Sequence, residues 1–305
     1  MSLNLPTNPP TWEILPSHED ASVNHTLATP DGGHFEARFV QRTDEYFIIY
    51  LSSHSGCRHA CRFCHLTATA QSMMTPANLH DFKAQTEQVL QTFSSQAHRR
   101  PLPQHVHVNF MARGEALSNP TLVTHSKQVY EELRTLIQQT IDIPVSFRVS
   151  TIFPEEFSGS LTDALNDPQA YPYYSLYSLN PTFRRRWLPK AMDPSRAFSL
   201  LKDFQNDTGR EVILHWALIK DENDSLDDAK RVLEALDHWK LNARFNVVRY
   251  NPYSPKQGQE ADEEQIQAVF ELLKTGMHTP GSRIVPRVGF DVKASCGMFI
   301  GERRH

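Results

Sequence analysis

The sequence predicts an α/β protein built on a parallel sheet or an α/β barrel. Stretches of strand and helix periodicity alternate along most of the 305 residues, the pattern of repeated strand–helix units. Hydrophobic residues make up 39% of the chain, enough for the core such a sheet needs. A glycine-rich phosphate loop is missing: with 12 glycines against 20 prolines, no Rossmann fingerprint is present.

Taken in order, residues 1–20 are rich in proline and polar groups and read as an irregular lead-in. Asp31-Gly32-Gly33 is a turn signal between two β-prone stretches. The first ends near Leu27 and the second covers about 35–40. A strand over about 46–52 leads directly into a cysteine-rich loop. Thr75-Pro76 offers a capping threonine and a first-turn proline for a helix reaching about residue 96. Residues 105–110 alternate as a short strand. Over 119–139, Leu122, Val129, Tyr130, Leu133 and Ile137 form a helical stripe. Strands are expected at 145–150, 173–179, 212–219 and 245–248. Helices are expected after Asp193-Pro194, after the capping pair Asp224/Ser225, and over 262–274.

Three of the four cysteines sit within eight residues, as Cys57-x3-Cys61-x2-Cys64; the fourth is Cys296. Three thiolates on a short loop can grip one inorganic centre, and iron–sulfur clusters are held in this way. On a four-iron cluster, three thiolates leave one iron open. That iron can bind the amino and carboxylate groups of S-adenosylmethionine (SAM), and an electron from the reduced cluster can then generate a 5′-deoxyadenosyl radical. Phe63, just before the last cysteine, and the loop's place after a strand fit this use. A structural zinc site is the other reading of Cys61-x2-Cys64, completed by Cys57 or Cys296, or by His54, His59 or His65. Zinc sites commonly pair two such half-sites, and no second one exists here.

Composition bounds the setting. Four cysteines are too few for a disulfide scaffold in a chain this long, so they are expected as thiols or ligands. No run approaches a membrane span of about 20 apolar residues, and the N-terminus lacks a signal-peptide layout. A cytoplasmic protein without a membrane partner is expected. A net charge of −4 gives no overall push toward nucleic acid.

The loop spacing and the α/β repeats resemble the radical SAM superfamily, and more narrowly its RlmN/Cfr family of RNA adenine methyltransferases. Ser52-Ser53-His54-Ser55-Gly56-Cys57 resembles that family's Ser-Ser-Gln-x-Gly-Cys. The segment from Phe110 through Gly114-Glu115 to Asn119 resembles Met-Gly-Met-Gly-Glu-Pro-Leu-x-Asn. Val149-Ser150-Thr151, Ser178-Leu179-Asn180, Ile219–Asp224, Tyr250-Asn251-Pro252-Tyr253 and Ala294-Ser295-Cys296-Gly297 follow in family order. The resemblance covers about residues 20–300. It implies a partial (β/α)6 barrel over 46–305, with residues 1–45 as lead-in and β-hairpin extension. It also implies a [4Fe-4S] cluster on Cys57, Cys61 and Cys64, with SAM as second cofactor. Gly114 and Glu115 would take the methionine amino group, a carboxylate meeting an ammonium. Ser150, Ser178, Leu179, Asn180 and Asn251 would line the rest of SAM. Glu36 falls where the family has a proposed proton acceptor; its ordinary reading is an exposed strand glutamate. Cys296 would carry the methyl group to carbon 2 or 8 of adenine; otherwise it is a buried structural thiol.

The chain departs from that pattern. The family's second catalytic cysteine, seven residues before the first cluster ligand, is Tyr50 here, and no fifth cysteine exists. Tyrosine cannot form the disulfide that ends the family's cycle; as acid, base or radical relay it would act differently. Ala112-Arg113 replaces Gly-Met, Ala116 replaces proline and Asn180 replaces histidine. Fewer than about forty residues precede Glu36, too few for the N-terminal RNA-binding domain of the RlmN branch. Arg184-Arg185-Arg186 with Trp187 and Lys190 could contact phosphates and stack a base, or form a solvated turn. Arg99-Arg100 reads as a loop and Arg303-Arg304 as a basic tail. Expected partners are an RNA substrate and a flavodoxin-like or ferredoxin-like electron donor. Two other readings stay open: a radical SAM enzyme with another reaction or substrate, and a non-catalytic cluster- or RNA-binding relative.

Overall fold

The structure, a computed structural model, describes residues 11–96 and 101–301. Residues 1–10 of the lead-in, Arg99-Arg100 and Arg303-Arg304 lie outside the described residues. Ten strands form one sheet in sequence order. β1 (Glu13–Pro16), β2 (Val23–Ala28), β3 (His34–Thr43) and β4 (Tyr46–Leu51) pair antiparallel. From β4 onward the pairing is parallel, through β5 (His105–Phe110), β6 (Val145–Thr151), β7 (Ala170–Tyr174), β8 (Val212–Trp216) and β9 (Ala243–Val247) to the two-residue β10 (Arg283–Ile284). The six parallel strands β4–β9, joined by helical crossovers, make the partial (β/α)6 architecture; β1–β3 extend one edge.

Helices cover one face of the parallel strands. The principal ones are α2 (Leu79–Gln96), α4 (Ser126–Thr140), α7 (Pro194–Thr208), α8 (Leu226–Trp239) and α9 (Glu263–Gly276). Short helices are α1 (His65–Ala68), α3 (Pro120–Thr124), α5 (Leu161–Ala164) and α6 (Pro181–Trp187). Phe93 of α2 stacks on Phe47 of β4 at 4.5 Å between ring centroids. Tyr130 of α4 meets Phe147 of β6 at 4.6 Å. In β6, Val145, Phe147 and Val149 are buried while Ser146, Arg148 and Ser150 are half-buried. This period of two sends the apolar set to the helices and the polar set to the barrel interior. None of the described helices is long and apolar enough to cross a membrane.

Several boundaries differ from the sequence expectation for local reasons. Part of the lead-in is strand: β1 pairs Glu13 with Thr26 through Pro16 with Val23. α2 starts at Leu79, not at Thr75-Pro76, because Asn78 and Asp81 cap each other's backbone N–H reciprocally. Thr75 instead donates its hydroxyl to Asp31. The stripe over 119–139 is two helices broken at His125, the first capped by Asn119 and opened by Pro120. The strands expected at 173–179 and 212–219 end at Tyr174 and Trp216; Ser175 and Tyr177 then line the barrel cavity, while Ala217, Leu218 and Ile219 are buried.

Candidate active site

The cysteine loop leaves the C-terminal end of β4. Its path depends on Gly56, where an added Cβ would come within 2.8 Å of the Gln71 and Met73 carbonyl oxygens. Cys57 N–H donates to Gln71 O at 3.0 Å and Cys64 N–H to Cys61 O at 3.1 Å, folding the loop back on itself. Phe63 stacks on Tyr177 at 4.2 Å. Cys57, Cys61 and Cys64 line a cavity of about 210 Å³ that runs into the barrel, far more than the 10–15 Å³ that one water needs. Gly114, Glu115, Ser150, Asn251, Tyr50 and Cys296 line the same cavity. Ser178, Leu179 and Asn180 do not. Ser178 is buried and its hydroxyl accepts from Asn180 N–H, while the Asn180 side chain caps α6.

The donor set fits a cluster. All four cysteines are free thiols. Burial, followed by the neighbouring Cys64, pushes Cys57 up to about 12; burial pushes Cys64 up to about 11 and Cys61 upward as well. Three such thiols ionise together only against a cationic centre, as coordination provides. Among the described residues, no three His, Cys, Asp or Glu side chains are grouped to hold a single metal ion.

Glu115 is buried, and burial raises its carboxyl to about 7. Its oxygens accept from Leu117 N–H and Ile152 N–H, both at 3.1 Å. Gly114 has φ +93°, and a Cβ there would meet Ser53 Oγ at 2.5 Å and His54 Nδ1 at 2.6 Å, so only glycine brings this turn against the loop. Asn251 donates to Cys296 O at 2.9 Å. Its Oδ1 is buried without a partner, an acceptor available to a bound hydroxyl or amine. Ser150 Oγ is paired with His215 Nε2 at 2.8 Å.

Cys296 is exposed to the cavity rather than packed as a structural thiol. Burial around it pushes the thiol up to about 11, against the nearby Arg38 and Arg42. Arg42 also donates to the Tyr50 hydroxyl at 3.3 Å. Arg42, Tyr50 and Cys296 all line the cavity.

Glu36 is not an exposed strand glutamate: it is 0% exposed. Arg38 donates to its Oε2 at 2.7 Å and Arg113 to its Oε1 at 2.8 Å. Burial alone would raise its pKa, but the two arginines outweigh that and hold it below the usual carboxylate range. Glu36 also accepts from Ile300 N–H at 2.8 Å. Arg38 donates to Met298 O at 2.6 Å and Ala294 O at 3.2 Å, and Arg113 to Ile300 O. The triad thus anchors the C-terminal segment that carries Cys296. Arg113 appears in the sequence only as a departure from Met; its role needs the fold, which brings β3, the loop after β5 and the C-terminus together.

In the basic stretch at 184–190, Arg184 and Trp187 are buried, so Trp187 offers no face for stacking a base, while Arg185, Arg186 and Lys190 are exposed. Arg184 is buried and donates to the carbonyls of Leu176, Ser178 and Met192. Trp187 is 0% exposed and donates to Glu222, which also pairs with Arg186. Lys190 donates to Arg58 O.

Comparison with known proteins agrees with this geometry. No family model matches the chain. The fold superimposes on a radical SAM methyltransferase from Sphaerobacter thermophilus with a TM-score of 0.73 at 19% identity, covering 97% of this chain and 82% of that one. A dual-specificity RNA methyltransferase RlmN from Sulfurovum sp. is 27% identical over 92% of this chain and 69% of its own length. A ribosomal RNA large subunit methyltransferase Cfr from Staphylococcus aureus is 28% identical over 82% and 68%. By fold and sequence the chain is similar to radical SAM methyltransferases. Within that class its similarity is to the RlmN and Cfr enzymes.

Proposed function

We propose that the protein modifies an adenine in RNA with a methyl-derived carbon carried on Cys296, using SAM and a [4Fe-4S] cluster held by Cys57, Cys61 and Cys64. The observation that carries this reading is the shared cavity: three loop thiols, Glu115, Asn251 and Cys296 all line it. When bound, the cluster supplies the electron for reductive cleavage of SAM. Glu115 binds the methionine ammonium, whose charge returns the carboxyl to its ionised form. The free Asn251 Oδ1 and the Ser150 hydroxyl receive polar groups of SAM. The thiolate of Cys296 attacks the SAM methyl carbon; the S–C bond forms as the sulfonium C–S bond breaks and S-adenosylhomocysteine leaves. Arg38 and Arg42 favour that thiolate. A low-potential reductant of the flavodoxin or ferredoxin type fits a cytoplasmic enzyme of this kind.

A second reading keeps radical SAM chemistry and changes the reaction or substrate. Tyr50 favours it, because a phenol held by Arg42 stands where a cysteine would release the covalent RNA adduct. Intact mass spectrometry of anaerobically reconstituted protein, given SAM, reductant and RNA, separates the two. A methyl group or an RNA adduct on Cys296 supports the first reading. Formation of 5′-deoxyadenosine with Cys296 unmodified rejects it in favour of the second.

A further inference from the structure

Away from the cysteine loop, His107, Arg148 and Arg283 line the same cavity. Tyr46 opens β4, His105 opens β5 and Arg283 opens β10, so all three lie at the N-terminal end of the barrel. Tyr46 stacks on His105 at 5.5 Å and lies 4.9 Å from His107. His107 Nδ1 is 2.9 Å from Ser146 Oγ, which also accepts from Arg148 at 2.7 Å. Arg283 donates to the Tyr46 hydroxyl at 3.4 Å.

Charge is unevenly distributed over the cavity wall. Arg38, Arg42, Arg148, Arg249, Arg283 and Arg287 line it, while Glu115 is its one carboxylate among the described residues. Arg38, Arg249 and Arg287 are paired with Glu36, Glu263 and Glu260. Arg42, Arg148 and Arg283 have no carboxylate partner among the described residues; they donate to the hydroxyls of Tyr50, Ser146 and Tyr46, and Arg148 also lies 5.9 Å from the ring centroids of Tyr171 and Tyr173. Guanidinium groups without a counter-ion, set in a cavity beside aromatic faces, suit an anion carried on a planar base. The net charge of the chain is −4, so this is a local arrangement and not an overall basic surface.

We propose that Arg148 and Arg283 bind a phosphate group of a nucleotide, beside His107 and Tyr173, which line the same cavity. The inference rests on the nucleic-acid reading above and adds the residues that hold the substrate's phosphate. Arg283 lies at a strand start, away from the cluster loop at the strand ends. A substrate anchored there spans the barrel toward Cys296.

Isothermal titration of the anaerobically reconstituted protein with AMP, adenosine and a hexaribonucleotide tests this. AMP is expected to bind at least about tenfold more tightly than adenosine. Arg283→Gln, at an exposed position, and Arg148→Gln should each reduce that preference severalfold while adenosine affinity stays constant; Arg283→Lys should restore part of it. A hexaribonucleotide tighter than AMP assigns the site to a phosphodiester strand, and a weaker one to a free nucleotide. Equal affinities for AMP and adenosine, absence of AMP binding, or a preference unmoved in both glutamine variants would overturn the proposal. Cofactor cleavage by the unsubstituted protein, scored separately, tests the reading underneath.

Discussion

Tyr50 concentrates the chemistry that distinguishes this chain. It lines the cavity with Cys296, and Arg42 donates to its hydroxyl. A phenol cannot resolve a thioether-linked adduct by disulfide formation, so methyl transfer through Cys296 should stop at the adduct. Tyr50→Cys should therefore convert a persistent Cys296–RNA adduct into released methylated RNA, read by mass spectrometry of both species. An adduct that persists unchanged in Tyr50→Cys would show that a second thiol is not what turnover lacks. At this scale spacing marked Cys57, Cys61 and Cys64, and the family resemblance marked Gly114, Glu115 and Cys296; all six line one cavity. Ser178, Leu179 and Asn180 lie off its wall, because a family position specifies a segment and not the direction of its side chains. The interior polar residues His107, Arg148 and His215 carried a period-two signal within apolar strands, detectable only once those strands are known to close around a cavity.

Among the elements, the C-terminal segment over 289–301 matters most. Gly289 turns it with φ +61°, where an added Cβ would lie 2.7 Å from the Ala294 Cβ. Glu36, Arg38 and Arg113 then hold it by buried charge-assisted hydrogen bonds. Glu36→Gln leaves two buried guanidinium groups without their anion, and breaking a buried ion network from one side costs about 3–5 kcal/mol. Hydrogen exchange should accelerate across residues 294–301 in Glu36→Gln more than in the helices around the sheet. Uniform exchange changes would contradict an anchoring role. This network could not be read from sequence, since Glu36, Arg113 and Ile300 are far apart along the chain. The helices were more legible. Ser225 and Asp193 cap α8 and α7 as expected, whereas the Asn78/Asp81 pair competed successfully with Thr75-Pro76 for α2.

For the whole molecule, the alternation of strands and helices was sufficient to predict an α/β sheet or barrel, and β4–β9 form it. β1 escaped notice because a four-residue edge strand among prolines carries too little periodicity. The closed interior also sets an acid limit on stability. Burial lowers His25 and His215 to about 4; burial, then Arg148 and other neighbouring cations, lowers His107 to about 2. Their folded pKa values lie below the ordinary 6.5, so the unfolded chain takes up protons first. Stability is complete above about pH 6.5 and is lost as pH falls toward 4, with each histidine contributing up to about 1.4 kcal/mol per pH unit. Urea denaturation at pH 7 and pH 5 should show this fall, and His25→Gln should flatten it by about one proton. A midpoint independent of pH across that range would contradict it. The central claim is that the Cys57/Cys61/Cys64 loop supports radical SAM chemistry. Its most direct test is the anaerobically reconstituted protein incubated with SAM and dithionite and assayed for 5′-deoxyadenosine. The account predicts iron and sulfide near four per chain, and 5′-deoxyadenosine that disappears in Cys61→Ala. Stoichiometric zinc without iron, or no 5′-deoxyadenosine from a fully loaded protein, would contradict it.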